Sequence, residues 1–261
     1  MARTVIMRTQ EGKSLHLECH ESLPSVVELA RSYAQSGYPD GYVVFSESQT
    51  KYNSLGEPLA QGKSERGVYL SCILRTSIFR SQAGFLGVMS AVALSNALEE
   101  QTMKKIGIGW VSDIFCEDRK IGTSSVEGKL DSFNSYEYII VSFTVKLSES
   151  DFPPRLPDLV KKVFESDNTS LSLIIAKNIL YKFFSIYPKR IKTPEKVMDA
   201  YKRAFALAGT KTKYFENGKK RSCKILNVNS KNCTLMIETH NGAIKIIDKK
   251  RSIIIPNKIK T

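Results

Sequence analysis

The chain has 261 residues, of which 42% are hydrophobic and 25% are charged, and this is enough apolar material for a sizeable core. The length fits one large domain, or one domain followed by a small module. No run of about 18 apolar residues occurs, so no membrane-spanning helix is predicted. The five cysteines are scattered and lack the Cys-x-x-Cys spacing, which indicates a reducing, cytoplasmic compartment without disulfides or structural zinc.

The net charge is +13, and it is concentrated at the C-terminal end of the chain. Between Lys211 and Thr261 there are 13 Lys and Arg residues against 3 Asp and Glu residues, so this segment carries +10. Such a surface attracts nucleic acid, an anionic membrane surface or an acidic protein, although a merely well-hydrated face is an alternative. The run Lys249-Lys250-Arg251 would suit nucleic acid, but the absence of interleaved aromatic residues argues against that partner.

The N-terminal part of the chain predicts an alternation of strands and helices. Alternating apolar and polar residues indicate strands, and the spacing of Ser25 and Glu28 is that of a capping box at a helix N-terminus. The polar segment 51–66 is too long for a tight turn and is typical of a lid. We predict strands at 15–19, 42–45, 68–74 and 136–147, helices beginning at 25 and spanning 82–100, and a hairpin within 109–127.

Helices and then short strands are predicted after a proline-bearing connector at 151–157. Helices at 156–165 and 171–187 precede a third one, which begins after Thr193-Pro194 and ends at Gly209. Beyond Gly209 the pattern changes to short strands at 222–227, 234–238, 243–247 and 252–255, with Asn-Gly turns at 217–218 and 241–242. We therefore predict a domain boundary at this glycine, followed by a small barrel of about 50 residues.

The most informative segment, residues 109–127, contains the single tryptophan, Trp110, and predicts two strands joined by a polar turn. Lys120 begins the second strand, at the rim of a sheet, where a cation can meet a bound anion. The segment reads Gly-Trp-Val-Ser-Asp at 109–113, Lys-Ile-Gly at 120–122 and Val-Glu at 126–127. It resembles the catalytic hairpin of biotin protein ligases, in which a Lys-Trp-Pro-Asn-Asp motif precedes a Lys-x-x-Gly-Ile-Leu-x-Glu motif.

Over nearly its full length the chain resembles a single-chain biotin protein ligase without the DNA-binding domain that some members carry. The resemblance implies an α+β fold of the biotin/lipoate ligase type, a mixed β-sheet with helices packed on one side, followed by a small SH3-like β-barrel. The catalytic domain would be residues 1–209 and the basic barrel residues 210–261.

The resemblance also implies an activity. ATP and biotin would condense to biotinyl-AMP, and a lysine of the biotin carboxyl carrier domain of a carboxylase would then take the biotin. ATP, Mg²⁺ and biotin are therefore the expected cofactors and substrates. A homodimer is left open, and no membrane association is expected.

Five residues match positions that bind biotin or ATP in the family. They are Ser25, Gln49, Trp110, Asp113 and Lys120. Lys120 matches the lysine that contacts biotin and the reacting α-phosphate, so the resemblance implies that it is the catalytic residue. No protein ligand to a metal is predicted. Three of the five have simpler alternative roles, Ser25 as a helix cap, Trp110 as a packing residue and Lys120 as a solvated strand end.

Other positions of the family motifs are changed in this chain. The Gly-Arg-Gly-Arg loop would read Tyr-Asn-Ser-Leu at 52–55, without its arginines and glycines. Gly109, Val111 and Ser112 stand where the family has lysine, proline and asparagine, and the Gly-x-Gly-x-Asn strand falls near Ser-Phe-Thr at 142–144. Losing one charge-assisted contact commonly costs about 2–4 kcal/mol of transition-state stabilisation, so unrepaired losses predict little activity.

Two alternatives follow from these changes. Arg66, or Lys51 and Lys63 on the same loop, could replace the missing arginines. Without such replacement, the chain would be a catalytically impaired pseudoenzyme that keeps the ligase fold as a binding module. Related ligases act on other small acids, and lipoate or octanoate therefore stays open as the substrate.

Overall fold

The computed structural model describes residues 2–53, 57–75, 78, 80–147, 170–190, 195–229, 231–248 and 252–254. Within these residues, twelve β-strands and four α-helices form the fold. The strands are β1 (Arg3–Arg8), β2 (Ser14–His20), β3 (Tyr42–Gln49), β4 (Glu65–Leu74), β5 (Ile106–Ile108), β6 (Asp113–Cys116), β7 (Arg119–Leu130), β8 (Tyr136–Lys146), β9 (Lys211–Glu216), β10 (Lys219–Val228), β11 (Leu235–Thr239) and β12 (Ile244–Ile247). The helices are α1 (Val26–Gln35), α2 (Ala83–Thr102), α3 (Leu171–Arg190) and α4 (Glu195–Ala204).

The strands form two separate sheets. The larger sheet has eight strands in the order β1-β2-β3-β4-β8-β7-β6-β5, and the smaller has four in the order β12-β11-β10-β9. Within the large sheet, β2 and β3 are parallel because α1 connects them, and all other neighbours are antiparallel. A further bridge pairs Tyr214 of β9 with Ile253, so the small sheet begins to close on itself. The predicted mixed sheet followed by a small β unit is confirmed.

Helices cover both faces of the large sheet because its central strands are buried on both sides. Val44, Tyr69 and Ile73 pack against α1 on one face. The alternate residues of the same strands point to the opposite face, where α2 and α3 lie, and Phe143 of β8 meets Phe183 of α3 there. Thus α2 and α3 share one side of the sheet, as the resemblance implied, and α1 lies on the other.

The α1 helix begins as its sequence predicts. Ser25 is the N-cap, and its hydroxyl accepts a hydrogen bond from the Glu28 N–H at 3.3 Å. Val26, Ala30 and Ala34 recur at helical spacing and form the buried stripe that faces the sheet. The short side chains of the two alanines allow the helix to approach β3, β4 and β8 closely.

Some sequence predictions can be compared with the structure and others cannot. The hairpin within 109–127 is present as β6 and β7, whereas β1 and β9 lie where no strand was predicted. The connector at 151–157 and the helix at 156–165 lie outside the described residues. The small sheet starts two residues after Gly209, and the division into two domains stays a prediction. Among the helices that the structure describes, none has the length and hydropathy to cross a membrane.

Candidate functional site

A cavity of about 300 Å³ lies between the N-terminal end of α1 and the strands β7 and β8. Hydroxyl side chains from alternate positions of the two strands line one side of it, and residues around the start of α1 line the other. The strand residues are Thr123, Ser125, Ser142 and Thr144, and the residues near the helix include Ser25, Gln49 and Arg31. The cavity is therefore polar, and it is rich in groups that both donate and accept hydrogen bonds.

The hydroxyl side of the cavity follows from the pleat of the strands. Ser124, between two cavity residues on β7, points to the opposite face, where its hydroxyl lies 2.8 Å from that of Ser90 in α2. Ser142 of β8 is in turn 2.8 Å from Ser71 of β4, so its hydroxyl is held by a neighbouring strand. These small polar side chains leave open space where larger residues would fill the groove.

Two of the predicted ligand-binding residues, Ser25 and Gln49, meet at the cavity. The Gln49 amide oxygen accepts a hydrogen bond from the Val26 N–H at 2.8 Å, and its nitrogen donates to the Tyr52 carbonyl at 3.2 Å. Ser25 caps the same helix. Both side chains therefore hold the first turn of α1 beside the cavity, and the capping role that was the simpler alternative for Ser25 is observed.

Asp113 and Lys120 form an ion pair at the edge of this cavity. The Lys120 ammonium lies 3.0 Å from the Asp113 carboxylate, and the two side chains are only 11% and 3% exposed. The Thr123 hydroxyl, which lines the cavity, donates to the same carboxylate at 3.3 Å. Lys120 is thus a buried, paired cation one residue removed from the cavity wall, and its alternative role as a solvated strand end is wrong.

Trp110 lies away from the cavity, between the two sheets. Its side chain is 2% exposed, and the indole N–H donates to the Cys233 carbonyl in the small sheet's β10–β11 connection at 2.8 Å. The Tyr201 hydroxyl of α4 donates to the carbonyls of Gly109 and Val111 on either side of the tryptophan. The packing role that was the simpler alternative for Trp110 is observed, because the indole's polar group joins the two sheets, and a ligand-binding role for this residue stays a prediction.

Gly109, where the family motif has lysine, is closely packed. A Cβ atom added there would lie 2.7 Å from the Phe115 ring and 3.3 Å from the Asp113 Cβ. Any side chain at this position would require the phenylalanine to move. The missing lysine of the motif is therefore replaced by apolar packing against β6 and not by another cation.

The cations near the cavity are each paired with a carboxylate. Arg31 forms two hydrogen bonds of 2.8 Å with Glu127, and this carboxylate raises the pKa of the guanidinium. Lys51 pairs with Glu28. With the Lys120 pair, these contacts make the surroundings of the cavity close to electrically neutral.

Of the basic residues that could replace the missing arginines, Lys51 lies beside the cavity and Arg66 does not. Lys51 adjoins it through its pair with Glu28, which lines the cavity. Arg66 lies on the opposite face of the sheet, in a second cavity with Cys19, and its guanidinium is 3.4 Å from Glu47. The strand period explains this, because the even-numbered residues of β4 point away from α1. Arg66 as a replacement is therefore wrong.

The sequence did not identify Arg31, Thr123 or Ser125 as cavity residues. Glu127 was recognised as a motif match, and its bidentate pair with Arg31 joins residues 96 positions apart. The alternation of Thr123 and Ser125 along a predicted strand was a usable signal, because residues two apart on a strand share one face.

Comparison with known proteins gives the fold a name. No model of a known protein family matches the chain. The bifunctional ligase/repressor BirA of Bacillus subtilis is 26% identical over 152 residues, which are 58% of this chain and 47% of BirA, so the chain spans about half the length of this curated relative. Among solved structures, a biotin protein ligase from Aquifex aeolicus is 18% identical, with a TM-score of 0.64 over 91% of this chain and 97% of that one.

A second structure of the Aquifex aeolicus ligase, in complex with biotin and ATP, is 20% identical, with a TM-score of 0.61 over 88% of this chain and 94% of that one. These comparisons establish that the chain has the biotin protein ligase fold. The resemblance to the biotin protein ligase family, predicted from the hairpin motifs, is confirmed.

Proposed function

We propose that this protein is a biotin protein ligase-like enzyme that binds biotin in the cavity at the start of α1. It would activate biotin with ATP to biotinyl-AMP and transfer it to a lysine of a biotin carboxyl carrier domain. The observation that carries this proposal is the convergence of four predicted site residues, with Ser25 and Gln49 at the cavity and the Asp113–Lys120 pair joined to it through Thr123.

The cavity suits a small acid with a polar head group. Its volume of 300 Å³ is at the lower end of the range, roughly 300–1,000 Å³, that is usual for small-molecule sites. The hydroxyls of Thr123, Ser125, Ser142 and Thr144 could donate to and accept from a ureido group. The N-terminus of α1 carries a partial positive charge that favours a carboxylate. A wholly aliphatic octanoyl chain would leave these hydroxyls without partners, so we place biotin ahead of octanoate.

Lys120 has the chemistry to stabilise negative charge that develops on a carboxylate or phosphate oxygen. A buried ammonium interacts strongly with an anion because little water screens it, and Asp113 holds it in one orientation. The Thr123 hydroxyl donates to the same carboxylate and lines the cavity, so a ligand that contacts Thr123 could alter the ion pair. In this scheme Lys120 remains the proposed catalytic residue.

The fit for ATP and Mg²⁺ is poorer. A polyphosphate requires several cations, and Arg31, Lys51 and Lys120 are each paired with a carboxylate of the protein. Mg²⁺ is usually held by phosphate oxygens, water and one or two carboxylates, and Glu28 is the carboxylate among the described cavity-lining residues. These ion pairs would have to separate before ATP could use their charges.

The same pairing favours a second candidate function. A neutral, hydroxyl-lined cavity without the arginine loop fits a binding module that keeps the ligase fold and holds a small molecule without activating it. In this case the carrier domain would not be modified. The carrier partner and a homodimer stay predictions under both candidates.

Pyrophosphate exchange and calorimetry on the same preparations separate the two candidates. Exchange that requires biotin and ATP, and that is lost in Lys120→Met, would support the enzyme. Lys129→Met is the matched control, because Lys129 lies on the same strand as Lys120 and forms an exposed ion pair with Glu137 of β8. Biotin binding by calorimetry without exchange would support the binding module. If the protein neither binds biotin, lipoate or octanoate nor catalyses exchange with any of them, both candidate functions are refuted.

A further inference from the structure

The outer face of the small sheet carries a row of cations with an aromatic residue at one end. Along β9 the exposed positions are Lys211, Lys213 and Phe215, whereas Tyr214 between them is buried. Residues two apart on a strand share a face and lie about 6.7 Å apart. The two lysines and the phenylalanine, which is 40% exposed, therefore form one line on the surface.

The neighbouring strand β10 widens this row. Lys224 lies directly opposite Lys211, and Lys220 lies opposite Phe215, with its ammonium 5.8 Å from the ring centroid. Like charges directly opposite each other on a sheet are destabilising. We call these five residues, Lys211, Lys213, Phe215, Lys220 and Lys224, the lysine face.

An open groove of about 670 Å³ runs beside part of the lysine face. Lys211, Lys213 and Lys224 line it together with His240 and the Ser222 hydroxyl. The described residues from 211 onward include eight Lys or Arg residues and only three Asp or Glu residues. Three lysines and one glutamate line the groove, so its net charge is positive.

The acidic residues of the small sheet reduce this charge only in part. Glu216 pairs with both Arg221 and Lys245. Glu238 lines the groove opposite Lys224 on the sheet. Neither contact involves Lys211 or Lys213, so these two cations stay available to an anionic partner in the described part of the sheet.

We propose that the lysine face binds single-stranded nucleic acid, with the lysines on phosphates and Phe215 stacking on a base. Cations in a row attract any polyanion, but a row that includes an exposed ring on the same face matches the combination that single-strand binders use. The sequence argued against nucleic acid because no aromatic residue interleaves with Lys249–Arg251. The register of β9 and β10 supplies the aromatic residue from another part of the chain. This role is separate from the cavity at α1.

Fluorescence anisotropy with labelled 20-nucleotide dT and rU strands tests the proposal on the full chain, between about 50 and about 200 mM salt. The triple variant Lys211→Gln/Lys213→Gln/Lys224→Gln should bind at least about tenfold more weakly at low salt. Its slope of log K against log salt should be smaller by about 2, because three phosphate contacts are lost. Phe215→Ser should lower affinity by about tenfold with the slope unchanged, and Phe215→Tyr should restore it.

The matched control is Lys104→Gln/Lys105→Gln/Arg203→Gln, which removes the same charge from a different basic pocket. It should bind nearly as the unaltered chain does. An equal loss of affinity in both triple variants would overturn the proposal. So would the absence of binding at about 50 mM salt, where the charges are only weakly screened. Tighter binding of a polyglutamate of equal length than of either oligonucleotide would assign the face to an acidic protein instead. Circular dichroism of each variant checks that it has folded.

Discussion

The ammonium group of Lys120 lies 3.0 Å from the carboxylate of Asp113, and both side chains are almost fully buried. The pair connects the two strands of the hairpin that carries the ligase motifs, and Thr123 extends it to the cavity wall. Removing two charges from water is costly, and their attraction and hydrogen bonds must offset that cost. The pair therefore contributes to the fold as well as to any chemistry.

We expect Lys120→Met and Asp113→Asn each to lower the free energy of unfolding by about 3 kcal/mol, because each leaves its buried partner without its main counter-charge. The double variant Lys120→Met/Asp113→Asn should recover a large part of this loss, because neither charge then stays buried without the other. Urea unfolding of the four proteins gives the coupling free energy. Lys129→Met, in an exposed pair, should leave the midpoint nearly unchanged. Additive losses in the double variant would contradict the prediction.

A side chain at position 109, where the family motif has lysine, should destabilise this chain. We expect Gly109→Ala to lower the free energy of unfolding by about 1–3 kcal/mol, because its Cβ would lie 2.7 Å from the Phe115 ring. Phe115→Leu in the same chain should reduce the penalty by making room. Thermal unfolding measures both, and an unchanged melting temperature in Gly109→Ala would show that the ring moves freely. Gly84→Ala, where no atom lies within 4 Å of the added Cβ, is the control.

The side chain of Gln101 is expected to lower the free energy of unfolding. Its side chain on α2 is fully buried, and neither its amide oxygen nor its nitrogen has a hydrogen-bond partner in the described structure. Gln101→Met keeps the shape and removes the unsatisfied groups, and should raise the free energy of unfolding by about 1 kcal/mol. Gln35→Met, at an exposed position of α1, should have little effect in the same urea titration. A destabilised Gln101→Met would indicate that a water molecule satisfies the amide.

The stability should depend on pH through Glu18. Burial raises the pKa of this carboxyl, but hydrogen bonds from Tyr42, His20 and Tyr33 outweigh burial and hold it below its ordinary value. A carboxyl whose pKa is lowered by folding stabilises the fold above its ordinary pKa of about 4.3. That contribution is lost as the pH falls through the lowered pKa.

Glu18→Gln should therefore lower the free energy of unfolding by about 1 kcal/mol at neutral pH. The difference from the unaltered chain should begin to shrink below about pH 4 and continue to shrink as Glu18 of the folded chain takes up its proton. Urea midpoints measured at several pH values give this comparison. A difference that stays constant over the whole range would show that shape, and not ionisation, is responsible.

Local patterns predicted much of the fold and only part of the site. The capping box at Ser25, the apolar run of β4 and the length of α2 each gave a correct element, because those signals lie within a few residues. The edge strand β1 was missed, since its alternate positions are charged or exposed and carry little apolar signal.

The site depends on contacts that are distant in the sequence. Arg31 and Glu127 meet across 96 residues, and Trp110 meets Cys233 across 123, so no window of the sequence contains either pair. The motif match located Lys120, but its buried partner and the neighbouring hydroxyls appear only when β6, β7 and β8 are aligned.

The placement of Trp110 gives this protein a built-in optical probe. The chain has one tryptophan, and its indole is buried where the eight-stranded and four-stranded sheets are in contact. If the two sheets separate before either sheet unfolds, the tryptophan fluorescence emission should shift to longer wavelength. The far-ultraviolet circular dichroism would still have its native value at that point. The order of those two signals during denaturation would reveal whether the C-terminal sheet is an autonomous unit, with no label attached.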